Sequence, residues 1–235
     1  MIVFTDCRMN AFAVQALRNF GHTVLPCPPH PGLDAPVASH PDLLLFPADD
    51  AILTHANYAC TLRALCPALP VVSIPEQIEA KYPRDVLLDA ALVGKHLVCR
   101  PDATSCAVLE NARKKGAALL PVRQGYAKCN LCTVSENAVI TEDASIAKAL
   151  SAVGAEVLHV TPGHITLPGY PYGFIGGASG NDGHHVFFCG DLSEHPEGDR
   201  IAAFCRRHGK QPVSLCAGKL CDVGSLLFWE SAAEE

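Results

Sequence analysis

One pattern recurs along this chain and limits what it can fold into: two short apolar runs, an amphipathic helix and a third apolar run. The clearest copy lies within residues 126–180. Residues 131–134 and 138–141 flank the polar turn Ser135-Glu136-Asn137, which spells a strand pair. Asp143 can cap a helix in which Ile146, Ala147, Leu150 and Val153 share one face. Gly154 supplies the left-handed residue that commonly ends a helix, and residues 156–160 form a third strand.

The same order is predicted three more times. One copy covers 42–46, 51–54, 58–65 and 71–74. A second covers 86–93, 95–99, 105–115 and 118–122, and a third covers 174–178, 185–189, 200–208 and 212–215. The N-terminus carries a strand (2–5), a helix (10–20) and a strand (23–25) without an opening strand. A lone strand over 223–229 is the missing piece. Residues 26–41 are proline-rich and read as connection.

The expected fold is therefore α/β: a five-fold pseudosymmetric ring of ββαβ units, one unit shared between the N- and C-terminal segments. A single domain over 1–235 would hold units near 42–75, 85–122, 130–160, 174–215, and 222–230 with 1–27. Joining the terminal strands removes exposed sheet edges, which gives closure a physical reason. An ordinary open α/β sheet explains neither the paired strands ahead of each helix nor the complementary halves at the two ends.

Composition narrows the function classes. With 235 residues at 49% hydrophobic, the chain can bury a full core. A net charge of -6 without a lysine or arginine run excludes the electrostatic footprint of a nucleic-acid binder. No apolar run reaches the ~18 residues of a membrane span. The start, MIVFTDCRMN, lacks the basic and apolar regions of a secretory signal, so a cytoplasmic location is expected. The twelve cysteines then read as reduced, mostly as small buried hydrophobes.

The phrases KCNLCTVSENAVIT, GHITLPGYPYGFIGGASG and LCDVGSLL resemble a bacterial family of unassigned function placed in the pentein, or guanidine-modifying-enzyme, fold. The resemblance is strongest over 126–225 and weakest before His40. It implies a central channel in which a cysteine attacks a guanidinium carbon, a histidine moves protons and carboxylates hold the cation. Those residue types suit the chemistry, since guanidinium is a planar cation with five donors and attack needs a thiolate. Pentein enzymes carry a Glu-Gly-Gly-Asp phrase, a His-x-Asp phrase and a cysteine in that order. In cyclic order this chain has Ile175-Gly176-Gly177-Ala178, then His40-Pro41-Asp42, then Cys129 and Cys132. Ile175 and Ala178 replace both carboxylates of the first phrase, so another acid, such as Asp85 or Asp222, must take over or the substrate is not a guanidine. Val223-Gly224-Ser225, with Cys221 just before it, stands where many pentein enzymes carry the nucleophile.

The resemblance thus implies Cys129 or Cys132 as nucleophile, His40 as acid/base and Asp42 orienting it or the substrate. Asp85, Asn130, Gly176, Gly177 and Asp222 are expected to line the binding site of a small-molecule substrate, with no metal and no cofactor. Each has a plainer reading. His40-Pro41-Asp42 can be a local polar turn. The C-x-x-C pair can be structural, thiol-redox or metal-binding, although it opens a strand rather than a helix and lacks a second C-x-x-C. Cys216 and Cys221 become partners only if the fold brings them close. The glycine-rich stretch 169–180 lacks the ending of a phosphate loop and reads as backbone packed close to the axis or a ligand. Tyr170 and Tyr172 either line the channel mouth or simply pack. A non-catalytic pentein acting as a binding protein is the alternative to an enzyme, and a C-x-x-C metal or redox protein is the third.

Overall fold

A computed structural model describes residues 1–48 and 50–230. Asp49 and residues 231–235 of the expected domain lie outside that description. The N-terminal segment forms β1 (Ile2–Asp6), α1 (Ala11–Asn19) and β2 (Thr23–Cys27). The next unit has a short helix α2 (Pro41–Leu44), β3 (Leu45–Pro47), β4 (Ile52–His55), α3 (Ala56–Leu65) and β5 (Val71–Ile74). Then come β6 (Ala91–Val93), β7 (His96–Cys99), α4 (Cys106–Lys114) and β8 (Ala118–Pro121). The unit read first in the sequence holds β9 (Leu131–Ser135), β10 (Ala138–Thr141), α5 (Ala144–Ala152) and β11 (Glu156–His159). The last contains β12 (Ser179–Asn181), β13 (His185–Phe188), α6 (Gly198–Arg207) and β14 (Gln211–Ser214), and β15 (Leu227–Trp229) ends the described chain.

These strands form three-stranded sheets ordered β3-β4-β5, β6-β7-β8, β9-β10-β11, β12-β13-β14 and β15-β1-β2. In each, the middle strand runs antiparallel to the first and, across the helix, parallel to the third. Local chemistry explains the units. The Asp143 carboxylate accepts from Ser145 N at 2.8 Å and Ile146 N at 2.9 Å, which satisfies donors that α5 leaves free. Ile146 and Leu150 then turn the helix onto Leu131 and Val139 of its own sheet. Full burial of such a side chain contributes roughly 1.5–3 kcal/mol.

The two ends of the chain meet as expected. Ile2 stands opposite Trp229 and Phe4 opposite Leu227 in an antiparallel pair. Trp229 Nε1 donates to Ala48 O at 3.0 Å, tying the tail to the next unit. The first strands of the units surround one axial channel of about 460 Å³, with Leu45, Ala91, Thr133, Gly180 and Leu227 each contributing from a different sheet. The architecture is the five-unit ring.

The opening strands depart from expectation in four of the units. Residues 42–46 divide into α2 and the start of β3, while β6, β12 and β15 begin at Ala91, Ser179 and Leu227, after most of the runs at 86–93, 174–178 and 223–229. Those apolar runs are buried loops that cross toward the axis. Their backbone groups bond to other units instead of a ladder: Asp42 N to Gly224 O at 3.0 Å, Gly177 N to Cys129 O at 2.8 Å and Ser225 N to Gly177 O at 2.8 Å. Burial alone makes such loops as apolar as strands.

Candidate active site

The axial loops place chemistry-bearing residues at one repeated position. Asp89, Cys129, Gly177 and Ser225 each stand two residues ahead of the first strand of their unit, and Asp42 stands three ahead within α2. They converge. Cys129 Sγ donates to Asp89 Oδ2 at 2.8 Å and faces Asp42 Oδ2 at 3.1 Å. The Ser225 hydroxyl lies 2.7 Å from the same Asp42 oxygen and 3.0 Å from Gly176 O, and accepts from Lys128 Nζ at 2.9 Å. Asp89 Oδ1 accepts from Lys128 N and Cys129 N. Asp42 Oδ1 is buried without a partner among the described residues.

Backbone geometry holds this set together. Ser225 has φ 67, a conformation costing a non-glycine residue on the order of 1–3 kcal/mol. Gly176 passes so close to the backbone of Lys128, Cys129 and Leu131 that a Cβ there would collide with all three. Gly177 similarly makes room for the Asp222 carboxylate. Both glycines thus pack against the site, and neither reaches it with a side chain.

His40 lies between two carboxylates. Its Nδ1 is 3.8 Å from Asp222 Oδ1 and its Nε2 is 3.8 Å from Asp6 Oδ2. Asp222 is fixed by Gly224 N and Phe174 N, both at 2.9 Å. The fold therefore brings His40, Asp42, Cys129 and Asp222 into one cluster. Asp42 is expected to orient His40 or the substrate; its contacts run to the Cys129 thiol and Ser225, while the imidazole stands 3.8 Å from Asp222 and from Asp6.

Electrostatics follows from burial. The Cys129 thiol is pushed well above its ordinary value by burial, with the charges of Asp42, Asp89 and Asp222 adding to the shift. Burial raises Asp89 too, and Asp42 reinforces it. Asp222 rises to about 6 by burial, opposed by His40. Glu142 rises to about 7, again mainly by burial; its Oε2 accepts from Ile175 N at 2.8 Å while Oε1 has no partner. The axis is a low-dielectric volume crowded with acids.

Several expected residues fall elsewhere. Cys132 sits on β9 facing Val134, Ile140 and Ile175 in an apolar core, and burial lifts its thiol to about 11. It is a core residue, so the two thiols of the C-x-x-C stretch lie in different surroundings, and all twelve cysteines, each among the described residues, are free. Asn130 donates from Nδ2 to Tyr126 O at 2.8 Å and closes a local turn. Asp85 takes the Tyr126 hydroxyl, and burial raises its carboxyl. Tyr126 stacks on Tyr82 at 5.7 Å, and Tyr172 meets Phe174 edge-on at 6.1 Å. Cys216 and Cys221 line one cavity with Cys189. Among the described residues, one grouping has metal-ligand geometry: Asp42, Asp89 and Cys129, with ligand atoms within 4.8 Å of one another.

Asp89, Lys128, Asp6 and Glu142 are absent from the sequence-based set. Asp89 had a readable signal, a lone carboxylate in the apolar run VLLDAALV at the offset that Cys129 and Ser225 share.

A closed ring of five ββαβ units with a polar cluster at its axis is the pentein fold. Solved structures agree: DDAH from Pseudomonas aeruginosa in complex with citrulline superposes with a TM-score of 0.56 at 11% identity, covering 91% of this chain and 90% of that one. An amidinotransferase from Microseira wollei gives 0.54 at 10% identity over 87% and 72% of the two chains. Agmatine deiminase from C. jejuni gives 0.52 at 7% identity over 92% and 76%. The chain itself belongs to the family described as Family of unknown function (DUF6873), whose profile matches residues 4–227. No curated protein matches the sequence. No described helix is long and apolar enough to cross a membrane.

Proposed function

We propose that this chain binds a small planar cation, a guanidinium or amidinium compound, at the ring axis, and that Cys129 attacks its central carbon. The observation that carries the reading is the Cys129 thiol held between the carboxylates of Asp89 and Asp42, 2.8 and 3.1 Å away. Acids sharing a buried volume oppose one another's ionisation. A bound cation with several N–H donors would satisfy the carboxylates and lower the thiol's pKa at the same time. Solved proteins of this fold include ones named for hydrolysing dimethylarginine, transferring an amidino group and deiminating agmatine.

In the proposed step the thiol proton passes to Asp89 and the sulfur forms a bond to the central carbon. The carbon–nitrogen bond then breaks, and the amine leaves with a proton from His40. Water, or an acceptor amine, attacks the sulfur-bound carbon and gives its proton to His40; the carbon–sulfur bond breaks and the departing sulfur takes its proton back from Asp89. Asp89 and Asp42 come from other units than Ile175 and Ala178, and with Asp222 they supply the negative charge that those two residues lack.

A second reading is a cation-binding protein without turnover. It is favoured by the raised Cys129 pKa, which leaves the thiol protonated at neutral pH until a cation arrives. The test is a panel of guanidines and amidines assayed for ammonia, amine and ureido products, with binding measured in parallel. Turnover that is lost in Cys129→Ala and kept in Cys132→Ala supports the enzyme. Binding without product supports the binder. A stoichiometric metal ion lost in Cys129→Ala would instead make the Asp42–Asp89–Cys129 cluster a metal centre.

A further inference from the structure

The axial channel, which reaches Lys128 beside this cluster, has a different chemistry. Its walls are mostly apolar, built from Leu45, Phe46, Leu88, Ala91, Leu226 and Phe228. Its volume of about 460 Å³ falls within the ~300–1,000 Å³ of small-molecule sites. Thr133, Ser135 and Asn181 interrupt the wall, and Lys210 and Glu136 stand among the lining residues. The remaining charged residue is Lys128, beside the axial cluster. Where the axial cluster gathers carboxylates, the channel lining carries two lysines and one glutamate, a net single positive charge.

Lys128 is only partly buried. Its Nζ gives one hydrogen bond, to Ser225 Oγ at 2.9 Å, and no other partner is found for it among the described residues. An ammonium has three donors, so up to two remain for an occupant of the channel. A partly buried ammonium favours one opposite charge, and an apolar wall favours an apolar body. With Glu136 offsetting one of the two lysines in the lining, a single negative charge is what the channel can match.

We infer that the axial channel is a binding site for a small monocarboxylate with an apolar body, its carboxylate on Lys128 and its body against the strand walls. The site takes a ligand of opposite charge to the proposed cation site, and its lining includes Lys128 but none of Asp42, Asp89 and Cys129. Ser225 also touches Asp42, so the two sites share a hydrogen-bonded chain.

The experiment is calorimetric titration of the full chain with octanoate, octan-1-ol and octylamine, each below its aggregation range. Octanoate should bind at one site, ~10-fold or more tighter than octanol, with octylamine weakest. Lys128→Met should weaken octanoate ~10-fold or more while leaving octanol unchanged. Thr133→Phe, which fills the bore without replacing the ammonium, should abolish binding of both and serves alone if Lys128→Met does not fold. Absence of octanoate binding, equal affinity for the three probes, or octanoate affinity unchanged in a folded variant would overturn the inference. These readouts involve no turnover, so they stand or fall apart from the proposed reaction.

Discussion

The Cys129 thiol and the Asp89 carboxylate, 40 positions apart in sequence, lie 2.8 Å apart at the ring axis, each two residues ahead of a first strand. The pseudosymmetry of the ring creates the contact, because equivalent positions of different units converge on one point. Asp89 accepts from the Cys129 backbone N–H as well, at 3.2 Å, so one carboxylate fixes both the thiol and the loop that carries it.

Asp89→Asn tests that pairing. The amide keeps an oxygen for the two backbone N–H groups, removes a negative charge and offers a donor to sulfur. Alkylation of Cys129 by iodoacetamide at pH 8 should therefore speed up. Turnover of any guanidine or amidine substrate should fall by about 100-fold or more, since the proton acceptor and a cation partner are gone. Peptide mapping and steady-state kinetics read the two effects, and a slower alkylation would show that the carboxylate does not restrain the thiol.

Glu142 sets a pH dependence of stability. Its folded value of about 7 lies above the ordinary 4.5 because burial penalises the charge. A carboxyl raised in the folded state contributes stability below pH ~4.5 that is lost as pH rises through ~7. Urea titrations at pH 4.5 and 8 should show wild type losing more stability across that window than Glu142→Gln, by on the order of 1–3 kcal/mol. Parallel profiles would mean that the side chain takes up water or a counter-charge.

Gly176→Ala should damage the site without touching a polar group. The added methyl meets the carbonyls of Lys128 and Cys129 and the amide of Leu131. Backbone on one side must move, at a cost of about 1–3 kcal/mol in urea unfolding. Alkylation of Cys129 should change, while reactivity of the exposed thiols Cys7, Cys60 and Cys106 stays as it was.

Ring closure rests on the tail. Trp229→Ala removes a side chain only 6% exposed together with its bond to Ala48 O. A loss of roughly 3–5 kcal/mol is expected in urea unfolding. A loss below 1 kcal/mol would mean that β15 is not integral to the sheet it shares with β1.

Much of the ring was legible because each unit announces itself locally. Asp143 and Gly154 bracket α5, and Ser135-Glu136-Asn137 turns β9 into β10. The axial loops were not legible. Residues 86–90 and 174–178 are apolar because they are buried, and periodicity cannot tell a buried loop from a buried strand. A strand over 86–93 would enclose Asp89, and the offset that it shares with Cys129 and Ser225 shows only once β6 begins at Ala91. His40, Asp42, Cys129 and Asp222 were legible as a set through the order of units around the ring. Cys132 lies in the core because three residues along a loop-to-strand junction carry the side chain away from the axis.

The central claim is that a planar cation is what Cys129 waits for. Labelling at pH 7 with 2-chloroacetamidine, a cationic alkylator, beside its neutral counterpart 2-chloroacetamide tests it directly. The adduct should appear on Cys129 with the amidine, be absent there with the amide, and be suppressed by Asp89→Asn. Equal labelling by both reagents, or adducts confined to Cys7, Cys60 and Cys106, would contradict the account.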